Sequence, residues 1–252
     1  MAGLIGLQAA DIDIQDALRV AKWKYEGEWI PHPVVRLTTT LPIAINEGGE
    51  RVAVRARWGF PVGSGRPVGN ARDDRLLESP MWSGMLAKSP CLIMSTGIYE
   101  QATVGGKKTS LWFRRIDGKP IVMPGLCAAR KMDGGASRDG QGQAAAEGAN
   151  ASRLCCAIVT TTPNAFFGQF HDRQVCVLSP TEMDAWMSVT DKEEAKRLLH
   201  APAEDEWEAV PVDDQIFKHG IREDEHLKPI APALRAGQPA SLAKPKEPKS
   251  WF

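Results

Sequence analysis

Three short polar segments of this sequence carry groups that can move protons or hold a polar ligand. They are Asn70-Ala71-Arg72, Gly97-Ile98-Tyr99-Glu100 and His171-Asp172-Arg173. Each sits in apolar sequence that reads as buried strand, where polar groups are costly without partners. A carboxylate and an imidazole together suit proton transfer near neutral pH, so convergence of the three segments would make a site. Glu100 closes a mostly apolar run that begins at Cys91. In a pocket its carboxyl becomes a weaker acid and can serve as acid or base. His171 follows Phe166, Phe167 and Phe170, where an imidazole is either a satisfied core group or a catalyst. Asn70 and Arg72 flank a small alanine, and alternate residues of an extended segment share a face. Both can therefore meet one ligand, Arg72 on a phosphate and Asn70 on a polar group. The competing reading is a surface loop in which Asn70 caps a helix.

Many short strands and a few helices must position these segments. Apolar spacing at Ile14, Leu18 and Ala21 predicts a helix over 11–24, with Asp11 or Asp13 as its cap. Strands are expected at 34–40, 41–45 and 51–58, with Gly48-Gly49 turning between the last two. In the stretch Arg51 to Trp58, charged and apolar residues alternate as in a half-buried strand. A Gly/Pro-rich loop, 59–69, leads to Asn70, and a helix broken by Pro80 follows. Strands at 109–114 and 121–126 are expected to pair around Asp117-Gly118. The Gly, Ala, Ser and Gln of 131–153 read as a flexible insertion. Further strands are expected at 154–161, 174–178 and 210–212, a short turn or helix at 164–170, and helices at 179–187 and 192–199. The Pro, Ala and Lys of 232–252 read as a loose tail. The fold class is α+β: a single domain over 1–231 with a mostly antiparallel, barrel-like β core.

Of the 252 residues 43% are hydrophobic and 25% charged, the balance of a soluble globular protein. No apolar run reaches the roughly 18 residues of a membrane helix. The first residues carry no basic group ahead of an apolar stretch, so no signal peptide is read and a cytoplasmic protein is expected. The five cysteines include no C-x-x-C pair, so buried reduced thiols are expected rather than a zinc site; no metal or cofactor is expected. There is no Walker or Rossmann phosphate loop. Gly63-Ser64-Gly65 lies in an arginine-rich loop and not at a strand-to-helix nucleophile elbow. The net charge is zero, yet Arg51, Arg55, Arg57, Arg66, Arg72 and Arg75 cluster in sequence. They either hold phosphates or line a solvated strand face.

The order Trp58-Gly59-Phe60, Asn70-Ala71-Arg72, Cys91 to Glu100, Thr160, and His171-Asp172-Arg173 followed by Val177-Leu178-Ser179-Pro180 resembles the SRAP family. This is the SOS response-associated peptidase family, whose members sense abasic sites in DNA. The resemblance spans about 1–220, with 131–153 as an insertion. It implies one α+β domain with a barrel-like core and a positively charged groove for single-stranded DNA. It implies catalytic roles for Asn70, Glu100 and His171, and for position 2, where the family has a cysteine whose amine and thiol capture the abasic aldehyde as a thiazolidine. It also implies that Arg72 contacts DNA phosphate, that Trp58 and Gly59 lie by the DNA groove, and that Thr160 lies near the active centre.

The sequence departs from the family at its start. The family begins Met-Cys-Gly-Arg, and this chain begins Met1-Ala2-Gly3-Leu4. The family's Asn-x-Ala-Pro motif has no clear copy; Thr38 to Pro42 takes its place. Gln101 stands where tryptophan is common. A thiazolidine needs nitrogen and sulfur on adjacent carbons, and Ala2 offers only nitrogen, so the stable crosslink is expected to be lost. A small residue at position 2 permits methionine removal, and the freed amine, titrating near pH 7.7–8, can form a Schiff base with an aldehyde. The alternatives are a peptidase, as the family name suggests, and a non-catalytic binding module of a mobile element. Such a module would leave Glu100 and His171 facing apart or filled by core contacts. The expected partner is single-stranded or abasic-site DNA, with no membrane.

Overall fold

The computed structural model describes residues 3–25, 27–63, 65–76, 78–131, 152–218 and 224–238. In chain order its elements are β1 (Leu4–Leu7), α1 (Asp11–Leu18), β2 (Lys22–Trp23), β3 (His32–Arg36), β4 (Thr40–Glu47), β5 (Glu50–Trp58), β6 (Asn70–Arg72), α2 (Asp73–Leu76), α3 (Pro80–Leu86), β7 (Pro90–Ser95), β8 (Gly97–Val104), β9 (Lys107–Arg115), β10 (Ile121–Lys131), β11 (Ser152–Thr161), β12 (Gln174–Val175), α4 (Pro180–Met187), α5 (Lys192–Leu198), β13 (Trp207–Val212) and β14 (Leu234–Arg235). The fold is α+β with a barrel-like core.

Strands β4, β5, β11, β10 and β7 close on themselves. Four of the seams are antiparallel, and the β5–β11 seam is parallel, with Arg57 opposite Cys155 and Trp58 opposite Cys156. Closure removes free edges from these strands. In β5, Val52, Ala56 and Trp58 are buried while Arg51, Arg55 and Arg57 lie half out, as alternation predicts. A second sheet runs β14-β13-β9-β8-β1-β3. The two sheets meet where β7 passes into β8. There Ser95 Oγ donates to the Gly6 carbonyl at 2.9 Å and accepts from Gly97 N–H at 3.0 Å. Only glycine fits at 97, since a Cβ there would lie 2.0 Å from Trp112 Nε1 and 2.7 Å from the Phe113 carbonyl.

Several expectations are corrected. The predicted helix over 11–24 ends at Leu18, because Arg19 turns left-handed at φ 53° and Trp23 pairs in parallel with Ala53 of β5. Neither aspartate is its cap residue: Ala10 holds that place, while Asp13 accepts from the Ala10 N–H at 3.1 Å. Strands β9 and β10 do not pair around Asp117-Gly118. Both edges of β9 are taken by β8 and β13, and β10 lies between β7 and β11. Hairpins join β4 to β5 through Gly48-Gly49, as expected, and β8 to β9 through Gly105-Gly106, all four glycines at positive φ, as such two-residue turns require. The apolar run ending at Glu100 is two strands in two sheets, and Glu100 lies inside β8. Residues 234–235 pair with β13 and Leu234 is buried, so the folded unit reaches beyond 231. Most of the expected insertion, 132–151, and the tail from 239 lie outside the described residues. No helix among those described is long and apolar enough to cross a membrane.

Candidate active site

Strand β1 carries the start of the chain to Glu100. Leu4 stands opposite Tyr99 of β8 on one side and Arg36 of β3 on the other. One more step of the antiparallel register sets Gly3 beside Glu100. Gly3, Leu4, Arg36, Arg66, Glu100 and His171 are among the residues lining a cavity of about 410 Å³. The sequence reading did not find β1, since four apolar residues carry too little period to identify a strand. Ala2 itself lies outside the described residues.

Glu100 is 8% exposed, and burial raises its carboxyl above the ordinary range. His171 Nε2 stands 3.9 Å from Glu100 Oε2. That separation is too long for a direct hydrogen bond. On its other side, His171 Nδ1 accepts from the Arg173 N–H at 3.0 Å and lies 2.9 Å from Asp172 Oδ1. Nδ1 thus faces one backbone donor and two acceptors, the Asp172 carboxylate and the Arg173 carbonyl at 3.1 Å, so either ring nitrogen can carry the proton.

The turn 171–173 joins the three polar segments. Its histidine meets Glu100. Its arginine, 7% exposed, reaches back with Nη2 to Asp73 Oδ1 at 2.6 Å and to the Thr160 carbonyl. Asp73 follows Arg72 directly and also accepts from Thr161 Oγ1. Strand β6 pairs with β11, with Arg72 opposite Thr160, and β12 pairs on from Thr160 through Val175. Ala71 is wholly buried, with Asn70 and Arg72 half out on either side, so these two share a face as alternation predicted.

Other predicted site residues are placed differently. The Trp58 side chain is wholly buried, and its Nε1 donates to the Gly69 carbonyl at 2.8 Å. It holds the loop 59–69 and offers no ring surface to a nucleic acid. Gly59 has φ 109°, and a Cβ there would meet Leu37 Cδ1 at 3.0 Å, so it too shapes the loop. Thr160 is 1% exposed and braces Arg173 from within the sheet. Arg72 is already neutralised: its guanidinium forks onto Asp74 at 3.0 and 2.6 Å, which holds the Asp74 carboxyl below its usual range. Arg51, Arg55 and Arg57 share the outer face of β5, and each is engaged within the fold. Arg51 pairs with Asp184, Arg55 lies over Tyr25, and Arg57 donates to the Gly59 carbonyl.

Two arginines stand at the cavity: Arg66, one of the arginines clustered in sequence, and Arg36, which sequence reasoning missed. Arg36 donates to the carbonyls of Ile216, Phe217 and Lys218, tying that segment to the site. Arg66 is exposed, and its guanidinium lies 3.9 Å from the place a Gly3 side chain would take. Proximity to Gly3 is a fact of folding, and no local pattern reveals it. Among the described residues no serine, threonine or cysteine lines this cavity, all five cysteines are buried, and no cluster of three His, Cys, Asp or Glu could hold a metal ion.

The family described as SOS response associated peptidase (SRAP) matches residues 1–219 of this chain. An abasic site processing protein of Saccharomyces cerevisiae, YMR114C, is 26% identical over 175 residues, which are 63% of this chain and 43% of that protein. The chain thus spans less than half of the yeast relative. The abasic site processing protein YoqW of Bacillus subtilis is 24% identical over 221 residues, 84% of this chain and 92% of the relative. Among solved structures, a protein from Bacteroides thetaiotaomicron superposes with TM-score 0.71 at 17% identity, covering 90% of this chain and 99% of its own. A phage-related protein from Bordetella bronchiseptica gives 0.61 at 20% identity, covering 86% and 98%. At such identities these two likenesses speak for the fold alone.

Proposed function

Because the chain belongs to the SOS response associated peptidase family, we propose that it binds abasic sites in single-stranded DNA and serves in the response to DNA damage. The observation that carries this reading is the cavity in which Gly3, Glu100 and His171 meet. A buried, weakened carboxylic acid beside an imidazole can pass protons to and from a sugar aldehyde held there. Asn70 and Arg66 would steady the ligand, Asn70 by its amide and Arg66 by its charge on a phosphate. Arg72, already paired with Asp74, contributes less.

Residue 2 is alanine, so no sulfur is available beside the amine to close a thiazolidine. The remaining chemistry is an imine. A free Ala2 amine adds to the aldehyde carbon, and the carbinolamine oxygen takes a proton from Glu100 and leaves as water. His171 then removes a sugar proton, and the 3′ phosphate departs by β-elimination. The peptidase reading loses weight because the described cavity lining holds no serine, threonine or cysteine, and the hydroxyl of its one tyrosine, Tyr99, donates to the Pro33 carbonyl at 3.0 Å. The non-catalytic reading loses weight because Glu100 and His171 face one another.

Borohydride trapping on abasic single-stranded DNA tests the proposal. The protein with Met1 removed should give a covalent adduct, reduced at least about tenfold in Glu100→Gln, as loss of a general acid implies. Absence of any trapped adduct, together with equal affinity for intact and abasic strands, would sink it.

A further inference from the structure

Cysteines of three neighbouring strands lie together in the barrel wall, beside a second cavity of about 360 Å³ that shares no lining residue with the first. Cys127 of β10 stands directly opposite Cys156 of β11. Cys127 donates its N–H to Ser89, away from β11, and the Cys156 carbonyl accepts from Gly59, away from β10. The two are therefore a non-hydrogen-bonded antiparallel pair, whose Cα atoms lie about 4.5 Å apart. That separation falls within the roughly 4.4–6.8 Å spanned by disulfides.

Cys91 of β7 stands opposite Gly125. A Cβ on Gly125 would come 2.9 Å from Cys91 Sγ, so the glycine leaves room for that sulfur. The Cys91 thiol hydrogen-bonds to Cys127 and lowers its pKa, while burial pushes the Cys91 and Cys156 thiols well up. Cys127 also lies 3.6 Å from the Ser89 carbonyl. Cys91 and Cys156 are sealed, whereas Cys127 is 5% exposed and lines the second cavity with Ser89, Pro90 and Thr190. A buried thiol that borders a cavity and is held by a neighbour's S–H is the one of the three that an oxidant meets first.

We propose that Cys127 is a modification site for hydroperoxides, with Cys156 as its resolving partner. The Cys127 thiolate attacks the terminal peroxide oxygen and the O–O bond breaks. The leaving alkoxide takes up the proton that the thiol gave, which yields an alcohol and a sulfenic acid. The Cys156 sulfur then attacks Cys127, the S–O bond breaks, and hydroxide leaves as water with the Cys156 proton. Two thiols lose two electrons, and the hydroperoxide is reduced to alcohol and water. The disulfide would staple β10 to β11 next to the seam that carries Trp58 and Gly59.

Hydrogen peroxide treatment of the folded full-length protein tests this. Alkylation after unfolding, followed by peptide fragmentation that separates Cys155 from Cys156, reads the outcome. The expected result is loss of two of the five thiols and a Cys127–Cys156 link. In Cys156→Ser, dimedone should label Cys127. Five alkylated thiols in the treated wild-type protein, or a link that omits Cys127, would overturn the proposal. Neither outcome depends on the variant folding.

Discussion

Arg173→Met should be the most damaging single change near the site that leaves every proposed reacting group in place. The methionine keeps most of the buried apolar stem but removes the guanidinium that joins Asp73 to the Thr160 carbonyl. Two bonds made by a charged group are lost, each worth about 1.5–3 kcal/mol. Asp73 is 22% exposed and keeps its contact with Thr161, so water recovers part of that loss. A net cost of about 3 kcal/mol follows, at the low end of the roughly 3–5 kcal/mol for breaking one side of a buried pair. For a domain of this size that corresponds to a fall in Tm of roughly 6–12 °C. Urea unfolding of wild type, Arg173→Met, Asp73→Asn and the double variant measures the coupling directly. We expect a coupling of at least about 1.5 kcal/mol. Because His171 hangs on the same turn, trapping of abasic DNA should also drop while the variant is still folded. A coupling below about 0.5 kcal/mol with trapping unchanged would refute the view that this arginine holds the histidine in place.

Glu100→Gln should stabilise the protein at neutral pH while lowering trapping. Burial raises the native carboxyl above its unfolded value, so ionisation opposes folding. Wild-type stability is full below the unfolded carboxylate range, near pH 4.3, and falls as pH rises through the raised native value. The gain from glutamine therefore grows from pH 4 to pH 7.5 in urea midpoints; a gain independent of pH would contradict the burial argument. Arg66→Ala should weaken binding of single-stranded DNA and cut its salt slope by about 0.7–1. Arg72→Ala should do less, since Asp74 already neutralises it; equal effects in fluorescence titrations would count against assigning the phosphate contact to Arg66.

The sequence by itself determined what local physics can fix. Alternation over Arg51–Trp58 gave a strand, and the Ser179-Pro180 start with Glu182 capping gave α4, whose Ser179 N–H meets the Glu182 carboxylate at 2.7 Å. The order of motifs gave the family, and with it Glu100 and His171, which the fold brings within 3.9 Å. Partner choice between strands was not local. Asp117-Gly118 had the composition of a hairpin turn, yet the two strands entered different sheets because β8 and β13 already filled both edges of β9. Burial of Trp58 and Thr160 likewise depends on layers packed from elsewhere in the chain, so a surface role for Trp58 could be ruled out only in three dimensions. The same holds for Arg66 beside Gly3, for Arg173 on Asp73 one hundred residues away, and for three cysteines that lie together in one wall. Such contacts are set by barrel closure and strand register, and spacing along the chain does not encode them.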